Sequence, residues 1–163
     1  MNTKSLLESK TVLIVDDEPD VLDTLEDLLP MCTTVRADNY EAAEKLLETR
    51  PFDLAILDIM GVSGYALLKI CVKNDIIAVM LTAYAVTPAD IRKSFDEGAA
   101  FYIPKEEIAS IEVFLIDVLE AKQKGRNTWE RWYSRLSHFS EKAFGENWKK
   151  DEKDLLKKFT FHT

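Results

Sequence analysis

Polar side chains of three chemical kinds stand where apolar stretches of the chain end. They are three carboxylates, one hydroxyl and one ammonium group, from Asp16, Asp17, Asp58, Thr82 and Lys105. Carboxylates are the ligands that hard divalent cations such as Mg²⁺ prefer, and a carboxylate can also attack a phosphoryl group to give an acyl phosphate. A lysine and a hydroxyl can stabilise the oxygens of the transferred group. Together, the five residues predict metal-assisted phosphoryl transfer.

Each of these residues alone has a simpler interpretation, because acids at strand ends often do no more than cap the following helix. Three carboxylates crowded at one place repel each other unless a cation sits among them. The set as a whole therefore favours a cation site over separate caps, and Mg²⁺ is the predicted ion.

Short apolar runs alternate along the chain with longer segments of helical spacing. The runs at 11–15 and 54–57 lack the in-out alternation of a half-exposed strand, which is typical of strands buried on both faces, whereas 33–37 is a weaker strand. We predict strands at 11–15, 33–37, 54–57, 76–81 and 99–103. The predicted helices start near Pro19, Asn39, Gly64 and Thr87, and a fifth spans 107–122.

Five strands that alternate with five helices predict an α/β fold, with a parallel sheet between two layers of helices. Ligands of such open sheets bind at the carboxyl ends of the strands. The five polar residues all follow the ends of predicted strands, so this topology should bring them together.

Four stretches of the sequence resemble the response-regulator receiver family of two-component signalling. They are VLIVDDEP at 12–19, LAILDIM at 54–60, VMLTA at 79–83 and GAAFYIPK at 98–105. The resemblance covers roughly residues 10–123. We therefore assign 1–123 to a receiver domain and 124–163 to a helical tail. The resemblance implies a flavodoxin-like, doubly wound sheet of five parallel strands in the order 2-1-3-4-5, with a C-terminal helical extension.

The resemblance also implies roles for particular residues. Asp58 would accept a phosphoryl group from a histidine kinase or a phosphotransfer protein, and Lys105 would pair with that group. Asp16, Asp17 and Asp58 would bind Mg²⁺ together with the backbone carbonyl of Met60.

Thr82 and Tyr102 resemble the switch pair of the family, in which the hydroxyl moves toward the phosphate and the aromatic ring turns inward. This movement would rearrange the face formed by the fourth helix, fifth strand and fifth helix. That face, or the tail, could join two copies in a homodimer or contact a downstream protein. The expected protein is a cytoplasmic signalling switch. We expect no enzymatic activity beyond its own phosphoryl transfer and slow autodephosphorylation.

The chain departs from the family pattern in the loop after Asp58. Members of the family carry Met-Pro at the third and fourth places and glycine at the eighth, whereas this chain has Gly61-Val62 and then Gly64. The loop is therefore shorter. Met60 and Tyr84 each stand two residues beyond a site residue, where bulky side chains should hinder attacking water. We expect a long-lived acyl phosphate.

The tail differs from the front of the chain in charge and in aromatic content. Residues 124–163 carry ten basic and six acidic residues, whereas 1–123 carry eleven basic and 23 acidic residues. All three tryptophans lie in the tail. The stretch Asn127-Thr128-Trp129-Glu130 resembles a capping box, and apolar residues at helical spacing predict one helix after it and a second from about Trp148.

The tail has three interpretations. Its aromatic residues could pack on the receiver or within the helical pair, or they could form an interface with a second copy or a partner. Nucleic-acid binding through the basic tail is the alternative function. It is disfavoured by the modest charge, and the acidic front would repel phosphates. A hydrolase with an aspartyl nucleophile ranks last, because no substrate domain is evident. No apolar stretch is long enough to predict a membrane span.

Overall fold

The computed structural model describes the backbone of residues 6–83 and 87–144, and side chains within these ranges as far as Leu136. The strands are β1 (Thr11–Val15), β2 (Thr33–Ala37), β3 (Leu54–Asp58), β4 (Ile77–Thr82) and β5 (Phe101–Pro104). The helices are α1 (Pro19–Leu28), α2 (Tyr40–Thr49), α3 (Gly64–Lys73), α4 (Pro88–Asp96), α5 (Ile111–Gln123) and α6 (Thr128–Phe144). None of the helices in these ranges has the length and hydrophobicity needed to cross a membrane.

The five strands form one parallel sheet in the order β2-β1-β3-β4-β5. Every residue of β3 is buried, and so is β1 from Val12 onward. Strands in the middle of a parallel sheet are covered on both faces, which is why these two read as unbroken apolar runs. The predicted flavodoxin-like order 2-1-3-4-5 is confirmed.

Capping side chains fix the starts of two helices. The Oδ1 atom of Asn39 accepts a hydrogen bond from the Ala42 amide at 2.8 Å, and the Thr87 hydroxyl accepts one from the Asp90 amide at 3.1 Å. Such bonds satisfy amides that the first helical turn leaves unpaired. α4 ends just before Gly98, whose φ of 104° favours glycine. The starts near Asn39 and Thr87 were predicted from the sequence and are confirmed.

The fifth helix of the receiver begins later than the sequence predicts. Apolar spacing predicts a helix over 107–122, but Lys105–Ser110 forms a 3-10 helix and α5 begins at Ile111. None of the side chains of the 3-10 segment is buried. Ile108 packs against the core while only partly buried, and the fully buried apolar face starts at Ile111. β4 and β5 also start slightly later than predicted, at Ile77 and Phe101.

The first helix of the tail packs on the receiver. The Asn127 side chain caps α6 by accepting a hydrogen bond from the Trp129 amide at 2.8 Å. Trp129 and Trp132 are each only 1% exposed and belong to the same core as the sheet. Packing on the receiver is therefore the correct interpretation for these two residues. The predicted second helix of the tail lies outside the described residues, which end at 144.

Candidate functional site

The carboxyl edge of the sheet brings together residues from four neighbouring strands. Asp16 follows β1, Asp58 ends β3, Thr82 ends β4 and Lys105 follows β5. The strands are parallel and stay in register up to these ends. Residues as far apart in the sequence as Asp16 and Lys105 therefore meet at one edge, as the alternating pattern predicts.

Three carboxylates approach Lys105, those of Asp16, Glu18 and Asp58, and the carboxylate of Asp17 lies next to those of Asp16 and Glu18. We call these four acids the acidic rim. The Lys105 Nζ atom lies 2.8 Å from an Asp16 oxygen, 3.5 Å from an Asp58 oxygen and 3.8 Å from a Glu18 oxygen. Asp16 is fully buried and Asp58 is 4% exposed. A single ammonium group thus faces several carboxylates, so the rim holds an excess of negative charge.

The electrostatics of the rim show this excess. Burial and the charge of Asp16 raise the pKa of Asp58, although Lys105 and a hydrogen bond from the Gly61 amide act in the opposite direction. That amide lies 3.2 Å from Asp58 Oδ2. Burial disfavours the charged form of Lys105, but its hydrogen bond with Asp16 and the surrounding carboxylates outweigh this and raise its pKa. Additional positive charge would therefore stabilise the rim.

The oxygens of Asp16, Asp17 and Glu18 lie within 4.8 Å of one another, close enough to share a metal ion. A set made only of oxygen donors suits a hard cation such as Mg²⁺. Asp17 and Glu18 are exposed, so water has access to complete the coordination. Glu18 was not among the ligands predicted from the sequence, although it stands in the same acidic run.

The shortened loop after β3 brings the backbone close to the carboxylates. A Cβ atom at Gly61 would overlap the carboxylate of Asp17, and one at Gly64 would overlap the backbone of Asp58. The two glycines therefore allow a close approach that a side chain would block. Between them Ser63 has a φ of 56°, in the left-handed region. The sequence shows a short loop but not that its glycines touch the site.

Thr82 and Tyr102, the predicted switch pair, are adjacent and buried. Thr82 is 5% exposed and Tyr102 is 1% exposed. Burial raises the pKa of Tyr102, and a hydrogen bond with Thr82 acts in the opposite direction. The backbone carbonyl of Tyr102 accepts a hydrogen bond from the indole nitrogen of Trp132 at 2.6 Å. The contact between the two switch residues follows from the predicted topology, but the contact with Trp132 was not foreseen.

The expectation that the acyl phosphate hydrolyses slowly rests on Met60 and Tyr84. Met60 is 64% exposed, so its side chain lies in solvent beside the rim. Tyr84 falls in the gap between 83 and 87, outside the described residues. The role of the Met60 carbonyl as a metal ligand stays a prediction, as does the lifetime of the acyl phosphate.

A fold of this topology with an acidic rim at its carboxyl edge defines a class, the receiver domain. The family model for the response regulator receiver domain matches residues 12–113. The chain belongs to that family, and it contains the receiver domain of a two-component response regulator.

Curated relatives and solved structures agree with this assignment. The heme response regulator HssR of Staphylococcus aureus strain JH9 is 37% identical over 102 residues, which cover 57% of this chain and 43% of HssR. The response regulator GtcR of Aneurinibacillus migulanus is 28% identical over 141 residues, which cover 79% of this chain and 58% of GtcR. The chain thus spans about half the length of these curated relatives.

Two crystal structures show the same fold. A putative response regulator from Chloroflexus aurantiacus J-10-fl is 27% identical, with a TM-score of 0.61, covering 69% of this chain and 99% of its own. The CheY-like receiver domain protein from Methanospirillum hungatei JF-1 is 25% identical, with a TM-score of 0.59, covering 71% of this chain and 99% of its own. Both comparisons extend over nearly the whole of the other chain and leave part of this one unmatched.

Proposed function

We propose that Asp58 accepts a phosphoryl group from a histidine kinase or a phosphotransfer protein, and that the modified domain signals through contacts with another protein. The observation that carries this proposal is the position of Asp58. Its carboxylate is buried, lies 3.5 Å from the Lys105 ammonium group and sits in an excess of negative charge. Such a group is poised to react with a phosphorus atom once further cations balance the rim.

The transfer is a simple displacement. An oxygen of Asp58 attacks the phosphorus of a phosphohistidine, the bond from phosphorus to the imidazole nitrogen breaks, and its electron pair stays on that nitrogen. Lys105 holds an oxygen of the phosphoryl group, and the Thr82 hydroxyl donates a hydrogen bond to another. The Gly61 amide, already bonded to Asp58, keeps the carboxylate oriented.

The rim fits a divalent cation, for which Asp16, Asp17, Asp58 and the Met60 carbonyl are the proposed ligands. Mg²⁺, when bound there, supplies positive charge close to the phosphoryl oxygens. Glu18 is a further candidate, because its oxygen lies in the same group as those of Asp16 and Asp17.

The chemistry of the chain is limited to its own modification and the slow loss of that modification. Met60 and Tyr84 form the proposed obstacle to water. Of these two, the structure describes Met60, whose side chain is exposed beside the rim. A half-life of the purified acyl phosphate in the range of seconds would contradict the proposed long lifetime.

The nucleic-acid alternative is weakened by what the tail's basic residues do. Arg131 and Arg135 form ion pairs with Asp117, and Arg131 also approaches Glu120. Their charge is therefore neutralised within the molecule, which reduces the attraction of this part of the tail for phosphates.

The decisive experiment is to incubate the protein with acetyl phosphate and Mg²⁺ and to locate the modified residue by mass spectrometry after trapping with borohydride. We expect modification at Asp58, its loss in Asp58→Asn, and no labelling when the metal is chelated. Asp53→Asn is the matched control, because Asp53 lies before the opposite end of β3. Labelling that persists in Asp58→Asn would refute the assignment.

A further inference from the structure

The helix α6 is attached directly to the strand that carries the switch tyrosine. The indole N–H of Trp132 donates to the backbone carbonyl of Tyr102 at 2.6 Å, and both side chains are buried. A buried carbonyl without a partner is costly, so this bond favours the docked position of α6.

Aromatic contacts connect α6 to α4 as well. The ring of Phe95 meets Trp129 edge-on at 5.3 Å and Trp132 at 5.9 Å between centroids. The two indoles stack on each other at 5.1 Å. Edge-to-face and stacked pairs at these distances add stability beyond the burial of apolar area.

A group of charged residues, which we call the arginine clamp, joins α6 to α5. Asp117 on α5 is 2% exposed and lies 3.2 Å from Arg131 and 2.7 Å from Arg135 on α6. The hydrogen bond from Arg135 to Asp117 raises the pKa of the arginine. A buried carboxylate opposite two arginines indicates that α6 occupies a specific position on α5 rather than a general apolar surface.

One hydrogen bond connects Tyr102 to Thr82, at the end of the strand next to Asp58. The Tyr102 hydroxyl is bonded to Thr82, and Thr82 follows Leu81, the register partner of Asp58 on β4. A threonine hydroxyl accepts and donates at the same time. It can accept from Tyr102 and donate to an oxygen bound at Asp58, and hydrogen bonds arranged in such a chain strengthen one another.

We propose that the docking of α6 and the phosphorylation of Asp58 stabilise each other, through Thr82, Tyr102 and the bond to Trp132. This proposal rests on Asp58 being the acceptor. α6 holds β5 in the position in which Tyr102 supports Thr82, so the docked helix prepares the site. Because coupling between two sites is reciprocal, an occupied Asp58 must hold α6 more firmly by the same factor. A partner that binds where α6 lies would have to compete with it more strongly after phosphorylation.

The test uses beryllofluoride with Mg²⁺ as a non-hydrolysable probe of Asp58, bound to the full chain and followed by fluorine NMR. Trp132→Phe keeps a large aromatic ring but removes the N–H donor to Tyr102. We expect it to weaken beryllofluoride binding about fivefold, the usual worth of one hydrogen bond. Trp129→Phe is the matched control, because it alters the same indole stack but leaves the donor from Trp132 to Tyr102 in place. It should bind within about twofold of the parent.

The effect of an occupied Asp58 on the docking of α6 can be measured without a substitution at the interface. In the unaltered protein, hydrogen exchange of the Trp132 indole N–H should slow when beryllofluoride is added, whereas Mg²⁺ alone should not change it. The Trp132→Phe variant serves to assign the indole signal.

The outcomes separate the two proposals. If the parent binds beryllofluoride but all three proteins have the same affinity and exchange is unchanged, the coupling is wrong and the acceptor assignment stands. Equal weakening in both tryptophan variants would overturn the path through Tyr102. If the parent does not bind at all, the acceptor assignment fails and the coupling fails with it.

Discussion

Among the residues that the structure describes, buried carboxylates meet cations at two places, and the balance of charge differs between them. In the acidic rim, one ammonium group, from Lys105, faces Asp16 and Asp58, with exposed acids beside them. In the arginine clamp, a single buried carboxylate, from Asp117, faces two guanidinium groups. The rim has too few cations for its acids, whereas in the clamp the acid is fully compensated.

This difference in charge balance distinguishes the rim, which favours binding of a further cation, from the clamp, whose charges are already paired. Burial, together with the charge of Asp16, raises the pKa of Asp58, and the excess of acids over cations in the rim favours a divalent cation. Compensation in the clamp instead raises the pKa of Arg135, because its hydrogen bond to Asp117 stabilises the charged form. We therefore interpret the rim as the reactive centre and the clamp as a structural contact that orients α6.

Removing one cation from each cluster should have the most unequal effect. We expect Lys105→Met to lower the rate of Asp58 phosphorylation by acetyl phosphate about a hundredfold, since a charge that stabilises the transferring oxygens is lost. Arg131→Met in the clamp should change that rate by less than about twofold. The rates are measured as formation of the acyl phosphate at saturating Mg²⁺. Equal losses in both variants would remove the distinction between the two clusters.

Removing the acid of the clamp should affect folding more than chemistry. We expect Asp117→Ala to lower the free energy of unfolding by about 1–2 kcal/mol, a modest value because both arginines remain partly in water. Urea denaturation measures it, and the difference from the parent should shrink in high salt. If the folded variant were phosphorylated much more slowly than the parent, the clamp would be part of the reactive centre.

Crowding the backbone of the rim should weaken cation binding. In Gly61→Ala the new methyl group overlaps the Asp17 carboxylate, so we expect Mg²⁺ to bind about tenfold more weakly. Calorimetry or tryptophan fluorescence can report the affinity. Ser63→Gly lies in the same loop at a φ that glycine adopts freely, and it should leave the affinity unchanged. An unaltered affinity in Gly61→Ala would place the cation away from Asp17.

The smallest predicted effect concerns stability without metal. The raised pKa of Asp58 means that the folded protein binds this proton more tightly than the unfolded chain does. At neutral pH the ionised group therefore destabilises the fold. We expect Asp58→Asn to raise the melting temperature by about 2–4 °C in chelator at pH 7. The gain in melting temperature should vanish as the pH falls below the ordinary pKa of a carboxyl group, because Asp58 is then protonated in both the folded and the unfolded state.

The matched control is Asp53→Asn, whose side chain accepts a hydrogen bond from the Thr11 amide at 2.9 Å. It should give no gain at any pH. A lower melting temperature for Asp58→Asn at neutral pH would mean that Lys105 already balances the rim.

The sequence predicts the fold well because its signals are local. Apolar runs mark the buried strands, and Asn39 and Thr87 mark helix starts by chemistry that acts over three residues. The site follows from topology, since the ends of neighbouring parallel strands must meet. The start of α5 was predicted too early, because apolar spacing continues through Lys105–Ser110 although nothing there is buried.

Beyond the meeting of strand ends, the sequence does not predict which side chains of distant elements come into contact. Glu18 looks like any exposed acid next to two buried ones, and only the distances show that it shares their space. The helical spacing of Trp129 and Trp132 indicates an apolar face but not what covers it. Asp117 within an apolar helix, and two arginines four residues apart in the tail, were signals of the clamp that the sequence analysis did not use.

Docking of α6 also has a consequence for the outer margins of the sheet. A strand at the edge of a sheet exposes backbone groups that can recruit a strand from another molecule. At β5, the indole N–H of Trp132 already donates a hydrogen bond to one of these groups, the backbone carbonyl of Tyr102. At the opposite edge, β2 carries Arg36, which is held by Asp23 and Glu26 at 2.9 and 3.2 Å. One margin is shielded by a helix and the other by charge, so strand-to-strand aggregation is opposed on both sides.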